Sequence, residues 1–115
     1  MIDLPAVAFI NHLLAPEQWA RDRLIPFAGR QVRIRVPPLP DLALEIDARG
    51  QVESCAADDI ALTLAIPAAA LPRILAQDER ALREVQMDGD AGLANAILFL
   101  FRNLRWDVEE DLVAR

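Results

Sequence analysis

Residues 85–104 read VQMDGDAGLANAILFLFRNL and join a short strand to a long helix through a two-residue turn. Val85–Asp88 is an extended, mixed apolar and polar run that ends at Gly89, which favours a turn. Asp90 is a typical N-cap, because its carboxylate can accept hydrogen bonds from the unpaired N–H groups of the first helical turn. The pattern therefore predicts a last strand over Val85–Asp88 and a long helix from about Ala91 to Arg105, with another helical segment beginning at Trp106 and Asp107.

The predicted long helix has two faces with different roles. Its core-facing positions follow helical spacing, at Leu93, Ile97, Leu100 and Leu104. Phe99 instead projects into the polar stripe of Asn95 and Arg102, and Trp106 follows one heptad later in nearly the same direction. An exposed aromatic pair indicates a second apolar contact. Either a neighbouring helix of the same domain covers these rings, or Phe99 and Trp106 form an interface with a second copy, another protein or a membrane.

Upstream of this junction, apolar and polar residues alternate with the period of two that is typical of strands. The alternation predicts strands over Gln31–Val36 and Leu42–Asp47, continuing into Gln51–Cys55 as an antiparallel meander. Leu62–Ile66 adds a fourth strand before the last one. We therefore expect an α+β fold with a mainly antiparallel sheet of about five strands, covered by helices.

The remaining segments predict helices. Asp3 can cap a first helix, and Pro5 is tolerated in its first turn. Its apolar residues recur at helical spacing and form a face that we expect to be buried, namely Ala6, Phe9, Ile10, Leu13 and Leu14. A second short helix, opened by Pro16, ends at Leu24. After the fourth strand, Pro67 suits a helix start, with Leu71, Ile74 and Leu75 facing inward, and Asp78 can cap a short helical turn.

Composition restricts the class of protein. The chain has 115 residues, of which 54% are hydrophobic and 26% charged, as expected for one compact domain. No apolar run reaches the roughly 18 residues of a membrane span, and the single cysteine, Cys55, fits a reducing cytoplasm. The formal net charge of −6 argues against nucleic acid as a partner.

The charges are unevenly distributed along the chain. Basic residues gather in one part of the sequence, at Arg21, Arg23, Arg30, Arg33 and Arg35, whereas Glu109, Glu110 and Asp111 crowd its end. Two interpretations stay open. The arginines form either an ordinary solvated surface or a local site for anionic head groups or an acidic partner.

Side chains able to do chemistry are scarce. General acid–base and nucleophilic catalysis need groups such as His, Cys, Ser, Lys or Tyr, and this chain offers His12, Cys55, Ser54 and Thr63 with no Lys or Tyr. Spaced oxygen ligands or paired cysteines for a metal are missing from the sequence as well. We therefore predict that the protein is not an enzyme and has no metal or cofactor.

The order of elements, together with Val85–Asp90 followed by Leu93 and Ala94, resembles the sterol carrier protein-2 (SCP2) family. Within it, the Phe27–Arg30 turn and the run Phe101–Leu112 are similar to the UbiJ family of ubiquinone biosynthesis accessory factors. The likeness in element order spans the whole chain. The matching motifs are confined to that turn and the last third.

This resemblance implies an SCP2-like fold over residues 1–115 and a non-catalytic role in ubiquinone biosynthesis. Its expected partners are polyprenyl lipids, whose isoprenoid tail would lie in an apolar cleft between sheet and helices, and the other ubiquinone-biosynthesis proteins that modify them. Members of the UbiJ family carry a further helical region, so the resemblance also implies that this sequence is truncated at Arg115.

The candidate residues lining that cleft are the apolar ones nearest to it, namely Leu62, Leu64, Ile66, Leu71, Ile74, Leu75, Leu93, Ile97 and Phe101. The same side chains would be needed for an ordinary core. An alternative function is a dimerisation or scaffold module without its own lipid, using Phe99 and Trp106 as the interface of a homodimer or a peripheral membrane contact.

Overall fold

A five-stranded mixed sheet organises the chain in the computed structural model, which describes residues 3–104. The strands are β1 (Gln31–Arg35), β2 (Leu42–Ile46), β3 (Val52–Ser54), β4 (Ile60–Ala65) and β5 (Gln86–Gly89). The helices are α1 (Asp3–Leu14), α2 (Gln18–Leu24), α3 (Leu71–Leu75), α4 (Glu79–Leu82) and α5 (Ala91–Asn103). Short 3-10 turns at Ile25–Phe27 and Ala68–Ala70 extend α2 and precede α3.

The strands lie in the order β3-β2-β1-β4-β5. The predicted meander is confirmed, since β1 pairs with β2 and β2 with β3, both antiparallel. Strand β5 is antiparallel to β4, but β4 runs parallel to β1, with Val32 opposite Leu62 and Ile34 opposite Leu64. The sheet is therefore mixed. The sequence does not predict its parallel pair, because alternation identifies a strand's buried face but not the direction of its neighbour.

One buried polar side chain helps to place β4 beside β1. The Gln31 amide nitrogen donates to Asp58 Oδ1 at 2.8 Å and to Glu45 Oε1 at 3.3 Å, and its oxygen accepts from the Asp59 backbone N–H at 3.0 Å. Gln31 is 8% exposed, so these bonds form largely out of water. They attach the β3–β4 loop to the start of β1, from which β4 continues in parallel.

Two aspartates cap helices as the sequence predicts. Asp90 Oδ1 accepts from the Leu93 N–H at 3.2 Å, and the other Asp90 oxygen lies 3.1 Å from Arg30. Asp78 Oδ1 accepts from the Arg80 N–H at 3.0 Å. This backbone hydrogen bond, with the guanidinium groups of Arg80 and Arg73, holds the pKa of the Asp78 carboxyl below its usual range.

Helix α5 ends at Asn103, two residues before the predicted end at Arg105. Leu104 has extended backbone angles, φ −76° and ψ 137°, although its N–H still donates to the Leu100 carbonyl at 2.7 Å. Its side chain is 4% exposed. Burial of this leucine therefore accompanies the end of the helix. The helical segment predicted from Trp106 lies outside the described residues.

Two contacts hold the first two helices on the sheet. The Asn11 side chain bonds both backbone groups of Val52, donating to the carbonyl at 2.8 Å and accepting from the N–H at 2.9 Å. Gly50, with φ +81°, packs so closely on α2 that a Cβ there would lie 2.4 Å from the Arg21 carbonyl oxygen. Helices α1 and α2 are thus fixed over the β2–β3 end of the sheet.

The buried side chains form two clusters. The larger lies between the sheet and helices α1, α2 and α5. The smaller lies under α3 and α4, with Ile66, Ile74 and Leu82 among its members. Ile34 and Phe101 pack against both clusters, so the boundary between the two runs past these side chains.

Candidate functional site

The larger cluster borders a partly open cavity of about 110 Å³ between the sheet and helices α1, α2 and α5. Every side chain that lines it is apolar. The sheet contributes Val32, Ile34, Leu44, Ile46, Val52 and Leu64, the first two helices Ile10, Leu14 and Leu24, and the end of α5 Ile97, Leu100, Phe101 and Leu104.

The local periodicities explain how these side chains converge. Along each strand every second residue points to the helices, and the strand register places Val32 beside Leu44 and Ile34 beside Leu64. On α5 the lining residues Ile97, Leu100 and Phe101 follow the spacing i, i+3 and i+4, which forms one helix face. Leu104 joins them just after the helix ends. Together these elements form the walls of the cavity.

The chemistry of the cavity follows from its walls. Because only hydrocarbon side chains face it, a charged or hydrogen-bonding group inside would lose its water without gaining a partner. An apolar cavity of about 150 Å³ is known to stay dry and to admit benzene. The cavity therefore suits an apolar group of somewhat smaller size and has no donor, acceptor or titratable group that could act on it.

Three of the nine predicted lining residues, Leu64, Ile97 and Phe101, line this cavity. Leu62 and Leu93 belong to the same cluster, where they are 1% and 0% exposed, but they do not line the cavity. These five residues lie between the sheet and the helices, which is where the cleft is predicted.

The other four predicted residues lie elsewhere. Ile66 and Ile74 are buried in the smaller cluster, and Leu71 packs against it. Leu75 is half-buried near the end of α3. The end of β4 and helix α3 lie beyond Phe101, so their apolar side chains fill the smaller cluster instead of the cavity.

Sequence reasoning does not assign the first two helices to the cavity. It predicts Ile10 and Leu14 only as a buried helix face, and Leu24 only as a helix end. A signal is present in the composition of α1, whose described residues are apolar on nearly all sides. A helix of this kind needs more than one apolar contact, and the cavity wall is one of them.

The ring of Phe99, on α5, packs against side chains of α2. Its ring meets the Trp19 ring edge to face, with centroids 5.8 Å apart and planes at 77°, and the Arg23 guanidinium lies 3.7 Å from its centroid. Phe99 is therefore half-buried by a neighbouring helix, one of the two alternatives that its position allows. Trp106 lies outside the described residues, and the interface formed by the two rings stays a prediction.

Three arginines of the basic stretch have different partners in the structure. Arg30 pairs with Asp90 at 3.1 Å and Arg35 with Asp41 at 3.4 Å. Arg23 stacks on the ring of Phe99. These partners belong to different elements, and both interpretations of the basic stretch stay predictions.

The few side chains with catalytic potential lie apart from the cavity. His12 is exposed on α1, and Cys55 is half-buried just after β3. Over residues 3–104, no three His, Cys, Asp or Glu side chains gather in a way that could hold a metal ion. No helix within this range is long and apolar enough to cross a membrane.

Comparison with known proteins gives the same fold. Residues 10–102 match the model of the SCP-2 sterol transfer family. The solved structure of a UbiJ-SCP2 ubiquinone synthesis protein superposes with a TM-score of 0.65 at 22% identity, covering 88% of each chain. The sterol carrier protein domain 2 of Helicoverpa armigera gives 0.55 at 15% identity, covering 85% of this chain and 84% of that one.

A third structure, palmitated SCP2L2 from Aedes aegypti, gives a TM-score of 0.50 at 10% identity, covering 84% of this chain and 96% of that one. No curated protein matches the chain by sequence. The five-stranded mixed sheet with its helices is thus the SCP2-like α+β fold that the sequence predicts.

Proposed function

This chain belongs to the SCP-2 sterol transfer family, and we propose that it is a non-catalytic, lipid-binding accessory factor in ubiquinone biosynthesis. In this proposal it holds the isoprenoid tail of ubiquinone intermediates while other enzymes modify their head groups. The observation that carries the proposal is the cavity of about 110 Å³ lined only by apolar side chains.

The energetics of an isoprenoid tail favour apolar walls of this kind. Each buried methylene gains about 0.8 kcal/mol relative to water, so a free polyprenyl chain in water is strongly disfavoured. A bilayer already offers the same gain. A carrier therefore only has to match the apolar environment of the membrane, which Leu64, Ile97 and their neighbours do without any directional contact.

Two similar structures support the ligand class and the pathway. One is that of a ubiquinone synthesis protein, and the other is that of a palmitated SCP2L2 protein. The wall residues Val32, Leu44 and Leu100 of this chain present the kind of surface that an acyl or isoprenoid chain needs.

The non-catalytic role rests on the walls of the cavity, since none of its lining side chains can transfer a proton or attack a carbonyl. We further propose that the protein acts in the cytoplasm, where a single unpaired cysteine is usual, and that the enzymes modifying the head groups are its partners.

The test is native mass spectrometry of the protein mixed with a polyprenyl quinone in a mild detergent. We expect a one-to-one complex with the wild-type protein. Ile97→Trp fills the cavity from α5 and should abolish the complex, whereas Leu98→Trp adds the same bulk on the outer groove of that helix and should preserve it. A wild-type protein without bound quinone, or equal binding by both variants, would contradict the proposal.

A further inference from the structure

Two loops without charged residues leave the same end of the sheet. The β1–β2 loop reads VPPLP over residues 36–40, and the β4–α3 loop reads IPAAALP over residues 66–72. Because β1 and β4 are parallel and pair in register at Arg35 and Ala65, the two loops begin side by side. The Ile66 N–H donates to the Arg35 carbonyl at 2.8 Å and joins the starts of both loops.

The exposed residues of these loops are all apolar. Pro37 and Pro67 line the same open groove, so the two loops adjoin at the surface as well. Leu39 is 51% exposed, more than any other large hydrophobic side chain within residues 3–104. A single exposed leucine is ordinary, but apolar residues gathered on two adjoining loops indicate a contact surface. This surface, here called the loop patch, consists of Pro37, Pro38, Leu39, Pro40, Pro67, Ala68 and Ala69.

The backbone of the β1–β2 loop has few hydrogen-bond donors to lose. Three of the four residues 37–40 are prolines, which have no backbone N–H. The remaining N–H, that of Leu39, donates to the Val36 carbonyl at 2.9 Å. In the β4–α3 loop the Ala70 N–H donates to the Pro67 carbonyl at 2.9 Å. An unpaired N–H is costly where water is excluded, so the donors of residues 37–40 add no cost when that loop enters an apolar medium.

The charged side chains at the edge of the loop patch are paired with one another. Arg35 lies 3.4 Å from Asp41, across the base of the β1–β2 loop. Glu84, which lines the groove between the loops, lies 2.6 Å from Arg73. Each pair brings together opposite charges, and the whole chain carries a formal net charge of −6. The loop patch therefore offers no cationic surface to an anionic partner.

The loop patch adjoins the wall of the apolar cavity. Ile34 and Leu64 are partners in the strand register, and both line the cavity. Each lies three residues before the first proline of its loop, Pro37 or Pro67. The cavity wall and the loop patch are thus consecutive parts of the same two chain segments. A surface that touches a bilayer here brings this end of the cavity wall close to the lipids.

We propose that the loop patch docks on the surface of a lipid bilayer, with Leu39 inserted at the boundary between head groups and acyl chains. The uncharged loops, the paired charges around them and the proline-rich backbone all favour an apolar medium over a charged protein partner. This inference goes beyond the proposed function, because docking does not require a bound tail. It also concerns residues other than Phe99 and Trp106.

The test is flotation of the full chain with phosphatidylcholine vesicles, repeated with vesicles that also contain phosphatidylserine. We expect the wild-type protein to float with the neutral vesicles. The anionic lipid should not increase the bound fraction, because the loop patch has no unpaired cation at its edge.

Three variants locate the contact. Leu39→Glu replaces the inserted side chain by a carboxylate and should weaken vesicle binding by at least about tenfold. Ile25→Glu is the matched control and should bind like the wild type, because Ile25 is the other exposed large hydrophobic residue within residues 3–104 and lies before the start of β1. In Leu39→Trp, lipids brominated on their acyl chains should quench the fluorescence more strongly than in the wild type, where Trp19 and Trp106 give the baseline.

Three results would overturn the inference. The first is a wild-type protein that does not float with neutral vesicles, and the second is equal binding by Leu39→Glu and Ile25→Glu. The third is a wild-type dimer that Leu39→Glu converts to a monomer in analytical ultracentrifugation, without vesicle binding, since the loop patch then joins two copies.

The proposed function is tested separately from this contact. Ile97→Trp, which fills the cavity, should float like the wild type, whereas Leu39→Glu should keep the quinone complex in detergent. Loss of the quinone complex in the wild type leaves the vesicle result unaffected, so the failure of one proposal is distinguishable from the failure of the other.

Discussion

Replacing Asn11 by alanine tests how α1 is held over the cavity. The variant loses both hydrogen bonds to the Val52 backbone, at 2.8 and 2.9 Å, and leaves that N–H and carbonyl without their partner. Each such bond contributes about 0.5–1.5 kcal/mol net. Alanine returns roughly half a kcal/mol of helix propensity. We expect the free energy of unfolding to fall by about 1.5 kcal/mol.

The assay is urea unfolding followed by circular dichroism, with a midpoint temperature shift of about 4–8 °C per kcal/mol as a second measure. Asn95→Ala is the matched control, because Asn95 is exposed on α5 and gains the same propensity without losing a described hydrogen bond. If the two variants have equal stability, the contact between Asn11 and Val52 does not hold α1 on the sheet.

Three further substitutions test the contact of Gly50 with α2, the cavity wall at Leu64 and the helix cap at Asp78. Gly50→Ala should cost at least about 1 kcal/mol more than Gly29→Ala in urea unfolding, because both need a positive φ but only Gly50 abuts the α2 backbone. Leu64→Ala should cost about 2–5 kcal/mol, whereas Leu39→Ala, at an exposed site, should stay within about 0.5 kcal/mol. The lowered pKa of Asp78 contributes stability above about pH 4 that is lost as pH falls through that pKa, so the difference between wild type and Asp78→Asn should shrink in acid.

Much of the fold follows from local rules. Alternation identifies β1, β2 and β4, and turn residues beside short extended runs mark β3 and β5. The caps at Asp78 and Asp90 are predictable from residue type and position. The parallel pairing of β1 with β4 is not, because alternation does not report which strand will lie beside another, and the Gln31 side chain that supports this pairing bonds a loop 27 residues away. A polar residue at the start of a strand gives no sequence signal of the partner it will find.

The candidate site is only partly predictable for a related reason. Periodicity reports that Leu64, Ile66 and Ile74 are buried, but not which of two clusters each one joins. That choice depends on where Phe101 lies between them. Leu104 shows the same limit, since helical spacing places it on the core face while its actual burial coincides with the end of the helix.

The parallel pair at the centre of the sheet also bears on how the protein folds. Strands β1, β2 and β3 can form from neighbouring segments. The sheet becomes continuous only when the distant strand β4 pairs with β1, with Leu62 opposite Val32. Closing that loop costs chain entropy before any contact compensates for it. We therefore expect the docking of the paired β4 and β5 strands to limit the folding rate, and the first meander to acquire amide protection earlier than β4.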